Sequence, residues 1–202
     1  MCNLYRNDIR KAGRERDYYG YEEFSETPQE IYPDVLAPVI GVRKDGDLGW
    51  TAMRWGFPPP EGLAKRPVTN IRNLDSPYWR GWLAPRYRCL VPFDRFCEWT
   101  DATPKRQVWF ALPEERMGFF AGVWRPWSGV RGPKAAPVEG KHYVFAILTC
   151  APNALVRPVH AKAMPVILAD EARQDAWLKA PAEAVMTLAS PLPEAEMRVL
   201  AA

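Results

Sequence analysis

A cysteine stands second in the chain, directly after the initiator methionine. Cysteine is small enough for Met1 to be removed, so the mature chain is expected to begin with a free Cys2. Such a terminus carries an α-amine of ordinary pKa about 7.7–8.0 and a thiol of about 8.5 on adjacent carbons. Both are partly unprotonated near neutral pH, and a 1,2-aminothiol of this kind traps aldehydes. The amine condenses to a Schiff base, the thiol adds to the imine carbon, and a thiazolidine ring closes. Closure is intramolecular and gains the advantage of a positioned partner. The plain alternative for Cys2 is an ordinary thiol on a frayed terminus.

Three further groups of residues offer chemistry. In Thr69-Asn70-Ile71-Arg72 an amide that both donates and accepts stands beside a planar cationic fork suited to phosphate. Turn formation and a surface ion pair are the competing roles. In the run from Arg88 to Trp99, Glu98 is flanked by aromatic residues. A carboxyl among aromatics has its charged form disfavoured, which raises its pKa and makes it a general acid/base candidate. A surface glutamate beside a core tryptophan fits the run equally well. His160 precedes the apolar Met164–Leu168 segment and is one of two histidines in the chain. It is a second acid/base candidate, or a structural imidazole.

The four cysteines (Cys2, Cys89, Cys97 and Cys150) show no Cys-x-x-Cys spacing, so no metal site and no cofactor are expected. Cys89, Cys97 and Cys150 lie in apolar strand-like runs and read as small buried hydrophobes. There is neither an apolar run of about 20 residues for a membrane span nor a charged n-region leading an apolar stretch. A cytoplasmic protein with no membrane partner is expected. The net charge is +3 over 202 residues, but its distribution is uneven. Between Arg54 and Arg88 seven basic residues face two acidic ones, whereas residues 169–202 carry six acidic and three basic. Eight of the nine tryptophans fall between Trp50 and Trp127. Basic residues interleaved with aromatics suit a single-stranded nucleic-acid groove, and they suit a charged face over an aromatic core as well.

The elements that must position these residues are short. Residues 31–57 read as a hairpin turning at Asp45-Gly46, and Pro58, Pro59 and Pro60 with Gly62 as a loop. A short helix is expected over 75–84, capped by Asp75 or Ser76, and strands over 88–92, 107–112, 118–124, 142–149 and 164–168. Residues 128–141 read as a mobile surface loop. The clearest helix is 170–180, capped by Asp170 and stopped by Pro181. The sum is an α+β, strand-rich chain with short outer helices and no internal domain boundary.

Together the landmarks occur in the order of one family: Met1-Cys2; Trp55-Gly56, then Asn70-x-Arg72; Arg88-Cys89-Leu90-Val91-Pro92 through Glu98-Trp99; and His160 ahead of Met164–Leu168. The segments Phe120–Trp124 and Phe145–Thr149, the latter followed by Pro152-Asn153, fit too. The chain resembles the SOS response-associated peptidase (SRAP) family over about residues 2–180. The resemblance implies one α+β domain over 1–202, with its core in about 2–180 and a tail over 181–202. The core would be a curved, barrel-like, mainly antiparallel β structure with short peripheral helices.

The resemblance also implies a monomeric DNA-repair protein of the SOS response, nucleoid-associated during damage. It would bind single-stranded DNA containing an abasic site and crosslink Cys2 to the open-chain aldehyde as a thiazolidine. Peptidase action would be confined to removal of its own Met1, beside weak lyase activity. Asn70 would orient the Cys2 amine and the sugar, Glu98 would shuttle protons, and His160 would assist ring opening and crosslink reversal. Arg72 and Arg80 would hold phosphates, Trp55 would wall the DNA groove, and Lys162 and Thr149 would complete the contacts. Asn3-Leu4 replaces the common Gly-Arg, which leaves Arg6 to supply that arginine's phosphate contact. Prolines 58–60 stand where aromatic wedge residues are common. A self-processing thiol peptidase and a noncovalent single-stranded DNA-binding module are the alternatives.

Overall fold

The computed structural model describes residues 2–24, 29–59, 66–133 and 135–201. Thirteen strands dominate the described residues: β1 Tyr5–Asn7, β2 Gln29–Ile31, β3 Leu36–Val42, β4 Leu48–Trp55, β5 Asn70–Ile71, β6 Arg88–Phe93, β7 Arg95–Trp99, β8 Gln107–Ala111, β9 Gly118–Arg131, β10 Val138–Cys150, β11 Met164–Pro165, β12 Ile167–Leu168 and β13 Arg198–Val199. Strands β10, β4, β3, β6 and β9 pair in that order, and β9 pairs back onto β10, so five strands close into a barrel. Closure leaves no free edge along this path. The β10–β4 pairing is parallel and the other four are antiparallel. β5 lies parallel on β10, while β11 and β12 extend β10 and β9. A second sheet, β13-β8-β7-β1-β2, packs beside the barrel.

The sequence accounts for the closure at several points. Strands β6 and β9 are buried along Arg88–Phe93 and Gly118–Val123, as positions covered on both faces must be. Phe93 stacks on Phe120 at 4.0 Å, and Phe120 meets Tyr5 and Phe96 edge-on. At Gly122 an added Cβ would come within 2.8 Å of Cys89 Sγ and Val91 Cγ2. Only glycine lets β6 and β9 approach there.

The 31–57 hairpin is present as β3 and β4 in antiparallel register, Val42 opposite Leu48. The proline loop is described as far as Pro59; Pro60 and Gly62 lie outside the described residues. The helix expected over 75–84 is one turn, α1 Pro77–Arg80, continued by a 3-10 turn over Gly81–Leu83. Ser76 precedes it without a side-chain capping bond. Helix α2, Glu171–Lys179, is capped by Asp170 accepting from the Arg173 amide at 2.8 Å.

One expectation is overturned. Residues 128–131 and 138–141 are not a surface loop: they form the paired ends of β9 and β10, with Lys141 opposite Ser128 and Val138 opposite Arg131. Glycine and proline weaken a strand that stands alone, but here each backbone group faces a partner. Arg131 also anchors the hairpin end: its guanidinium donates to Asp34 Oδ1 at 2.6 and 2.9 Å and to the Gly56 carbonyl at 2.9 Å. Beyond α2, residues 181–201 continue the fold. They supply α3, Val185–Leu188, and the edge strand β13 on β8.

No helix among the described residues is long and apolar enough to cross a membrane. All four cysteines are free thiols and buried. Burial pushes the Cys97 thiol up to about 11 and Cys150 to about 12, as inert core thiols require.

Candidate active site

Cys2 enters the site from the segment that leads into β1. Its side chain is 0% exposed, which rules out a frayed terminus. Sγ donates to the Leu4 carbonyl at 3.5 Å. Burial foremost, and then the negative charge of Glu98, push the thiol well above its usual pKa. The thiol is therefore neutral over the physiological range.

Asn70 comes from β5, which exists because Asn70 and Ile71 pair in parallel with Ile147 and Leu148 of β10. The Asn70 Nδ2 group donates to the Cys2 carbonyl at 2.8 Å and to Thr69 Oγ1 at 2.9 Å. The Trp55 indole donates to the Thr69 carbonyl at 3.0 Å. These bonds lock the Asn70 amide, and its buried Oδ1 has no hydrogen-bond partner among the described residues. An oriented, unpaired acceptor beside the Cys2 backbone is suited to receive an N–H from a reacting amine.

Glu98 projects from β7 on the same face as Phe96, two residues earlier, and is 1% exposed. Burial raises its carboxyl above the usual glutamate range, and the charge of His160 pulls the other way. Trp99 is 41% exposed on the opposite face, so the buried face of β7 that carries Phe96, not the neighbouring Trp99, desolvates Glu98.

His160 sits in the turn between β10 and β11. Asn153 organises that turn: Oδ1 accepts from the Val156 amide at 3.0 Å, and Nδ2 donates to the Leu192 carbonyl at 2.8 Å. His160 Nδ1 lies 2.9 Å from the Ala163 carbonyl and 3.2 Å from the Ala163 amide nitrogen. Assigning the proton to Nδ1, on the shorter contact, makes Nε2 the basic nitrogen. The positioning role of Asn153 was not read from the sequence. Its only sign was the Pro152-Asn153 pair at the end of a strand.

The fold thus gathers Cys2, Asn70, Glu98 and His160 from four separate segments. The expected DNA contacts divide. Arg72, Arg80 and Lys162 are exposed. Trp55 does not wall a groove: it is 0% exposed, packed against Tyr5 and Phe145 in the barrel. Thr149 is buried and donates to the Ile71 carbonyl at 3.0 Å, so its hydroxyl holds β5 rather than a phosphate. Arg6 does not replace the missing arginine, because its guanidinium is committed to the buried Asp94 at 2.6–3.2 Å. Among the described residues no group of three or more His, Cys, Asp or Glu is placed to hold a metal ion.

The chain is 31% identical over 134 residues to abasic site processing protein YoqW of Bacillus subtilis, covering 62% of this chain and 55% of the relative. It is 30% identical over 151 residues to YoaM of the same organism, described in the same words, covering 69% of this chain and 61% of that protein. The matched part therefore spans little more than half of these relatives. A crystal structure of a Bordetella bronchiseptica protein superposes with a TM-score of 0.75 at 21% identity, covering 100% of this chain and 99% of that one. One from Bacteroides thetaiotaomicron gives 0.76 at 19%, covering 98% and 90%. At these identities the likeness shows a shared fold. The sequence pattern of the SOS response associated peptidase (SRAP) family matches residues 1–201, and the chain belongs to that family.

Proposed function

We propose that this protein processes abasic sites by trapping them. With Met1 removed, Cys2 condenses with the open-chain aldehyde of an abasic site in single-stranded DNA and closes a thiazolidine crosslink. The observation that carries this reading is the 2.8 Å bond from Asn70 Nδ2 to the Cys2 carbonyl, with the buried Glu98 close enough for its charge to act on the Cys2 thiol. The names of the Bacillus relatives support the substrate.

The chemistry follows from the residues. An abasic sugar is mostly a ring-closed hemiacetal. Opening it needs a proton delivered to the ring oxygen and one taken from the anomeric hydroxyl. Glu98 and His160 are an acid/base pair for that exchange, since a raised carboxyl pKa keeps a proton available nearer neutrality. The Cys2 amine then adds to the aldehyde carbon, and water leaves to give the Schiff base. Asn70 Oδ1 orients the attacking N–H. The thiol stays protonated until that stage, so nitrogen attacks first and sulfur second. Sulfur adds to the imine carbon as its proton passes to Glu98, and the ring closes. Overall, aldehyde and aminothiol give thiazolidine and water. An abasic site has no base to unstack, so presenting its sugar to a buried residue is cheap. Arg72 and Lys162 follow Asn70 and His160 by two residues each, and with Arg80 they supply phosphate contacts.

The thiol peptidase reading is disfavoured by the same surroundings of Cys2. A nucleophilic thiolate needs a lowered pKa, whereas burial and Glu98 raise that of Cys2.

The test uses a single-stranded oligonucleotide with one abasic site, incubated with wild type or Cys2→Ala and run on a denaturing gel, with intact mass spectrometry of the protein. A heat-stable retarded band with wild type alone, and a mass lacking Met1, are expected. Absence of the band from protein that has lost Met1, or its persistence in Cys2→Ala, overturns the proposal. Shortened DNA in place of a band would identify a lyase.

A further inference from the structure

The closed barrel does not need the far ends of β9 and β10. β9 pairs with β6 as far as Val123, and β10 meets β4 only at Val144 and Phe145. Past those positions residues 126–131 and 138–143 pair only with each other, as a two-stranded ribbon. A lone two-stranded hairpin is marginal in water, and Arg131 ties this one down through Asp34 and Gly56. The ribbon carries rings and cations. Trp127 stands directly opposite His142, with ring centroids 6.0 Å apart and planes 29° from parallel. The Gly129 and Val138 carbonyls, each 3.2 Å from His142 Nε2, hold the imidazole in place. The Tyr143 ring is 50% exposed, edge-on to Trp124 at 5.6 Å. At the foot of the ribbon the Arg125 guanidinium lies over the Trp82 ring at 4.6 Å. Arg125, Trp127, Lys141, His142 and Tyr143 line a cleft of about 750 Å³. A second cleft shares Tyr143 and reaches Arg43, Lys44 and Asp45 between β3 and β4. Four cations and one carboxylate line the two, an excess of +3 that equals the net charge of the whole chain. Asp45 pairs with Arg43 at 3.0 Å, and among the described residues Lys44, Arg125 and Lys141 form no ion pair.

We propose that this ribbon is a second binding surface, for unpaired nucleotides that flank the abasic site on the same single strand. Arg125 and Lys141 hold phosphates, and Tyr143 with the Trp127–His142 pair offers faces on which bases stack. The inference deepens the proposed function and rests on its single-stranded substrate. Cations alone would serve solubility. Accessible rings set between unpaired cations are the equipment of a single-strand groove, where each base has a face to stack and each link a phosphate to pair. A duplex keeps its base faces stacked inside, and an acidic peptide matches the charge without the rings. Lys141 precedes Ile147, the partner of Asn70, by six residues of one strand, roughly 20 Å. Only a strand that runs on for several nucleotides past the lesion spans that distance.

The test uses abasic single strands of about 4 and about 16 nucleotides, the span of single-strand site sizes. Two variants are made, Arg125→Gln with Lys141→Gln, and Tyr143→Leu. Noncovalent binding of the longer strand is followed by fluorescence anisotropy in the Cys2→Ala background. There the charge variant should shrink the magnitude of the slope of log K against log salt by about 1.4, two phosphates at about 0.7 each. Tyr143→Leu should weaken binding about fivefold or more with the slope unchanged. Crosslinking is followed with Cys2 intact. The shorter strand should react at the wild-type rate in both variants, which also shows that fold and site are whole, while subsaturating longer strand should react more slowly. Binding of the longer strand that is equal in all proteins overturns the proposal, and so does an equal loss on both lengths. A duplex of the same length bound more tightly than the single strand, through the same cations, overturns the single-strand assignment. If the variants weaken the longer strand as expected but wild type crosslinks neither length, the abasic reading falls and the ribbon stands as a DNA-binding surface.

Discussion

Glu98, the acid/base group of the proposed reaction, costs the fold stability. Its carboxyl is pushed above the usual range by burial, against the pull of His160. In the unfolded chain the same group titrates near the ordinary value of about 4.3. The folded state therefore binds its proton more tightly than the unfolded state does. The stability from this tighter binding is complete below pH about 4.3 and is lost as pH rises through the folded pKa. Glu98→Gln cannot ionise, so it should melt above wild type near neutral pH, with the gap closing as pH falls towards about 4. Thermal melts across that range check this, and a constant gap would mean the carboxyl is not shifted. The same variant should crosslink about 10²–10⁴-fold more slowly, the usual contribution of a general acid/base. Acid/base potential was legible in the sequence from Glu98 among aromatics. The cause of the desolvation was not, because strand alternation turns Trp99 outward and Phe96 inward, and adjacency in sequence does not say which face is deep.

At the scale of elements, the strand that opens the Arg88–Trp99 run is tied to the outer helix by one side chain. Arg88 is fully buried at the start of β6. Its guanidinium donates to the carbonyls of Leu83, Trp177, Ala180 and Pro181 at 2.6–3.2 Å and lies 4.8 Å from the Trp177 ring centroid. The Trp177 and Ala180 carbonyls belong to the C-terminal end of α2, where the helix dipole favours a cation, and Pro181 follows directly. The charge is thus satisfied by dipoles rather than by a carboxylate. Arg88→Ala leaves those carbonyls unsatisfied and opens a cavity, and should destabilise the fold by about 3–5 kcal/mol. Urea unfolding checks this; a loss under about 1 kcal/mol would mean that α2 does not depend on the anchor. The sequence marks Arg88 as the first residue of a strand and marks α2 by Asp170 and Pro181, but nothing in it joins the two. Hairpins turned by Asp-Gly are legible because their partners are neighbours. The 128–141 pairing was missed because its stability comes from Arg131 reaching Asp34 and Gly56, contacts between distant residues.

At the scale of the molecule, the second sheet packed on the closed barrel brings four segments together. Parallel pairing of β5 on β10 puts Asn70 beside Cys2, and the turn after β10 brings His160 towards Glu98. Composition and spacing supplied the α+β class and offered the four residues beside plainer alternatives, and the resemblance chose among them. Closure depends on which strands meet, and a single sequence shows that only through resemblance. The same closure decides which polar residues remain outside to meet DNA. The chain carries a net +3, too little for affinity from overall charge, so the DNA binding proposed above would rest on a few exposed cations such as Arg72, Arg80 and Lys162. Each cation that contacts a phosphate of a single strand contributes about −0.7 to the slope of log K against log salt. Arg72→Ala should shrink the magnitude of that slope by about 0.7, and Arg72→Ala with Arg80→Ala by about 1.4, measured by fluorescence anisotropy on an abasic single strand with Cys2→Ala protein. Thr149→Val behaves differently. Its hydroxyl bonds the Ile71 carbonyl inside the barrel, so the slope should stay unchanged while the melting temperature falls, in keeping with a loss of about 1 kcal/mol. A slope that changes in Thr149→Val and not in Arg72→Ala would put the DNA on a path through the barrel interior, and the exposed cations would then serve solubility alone.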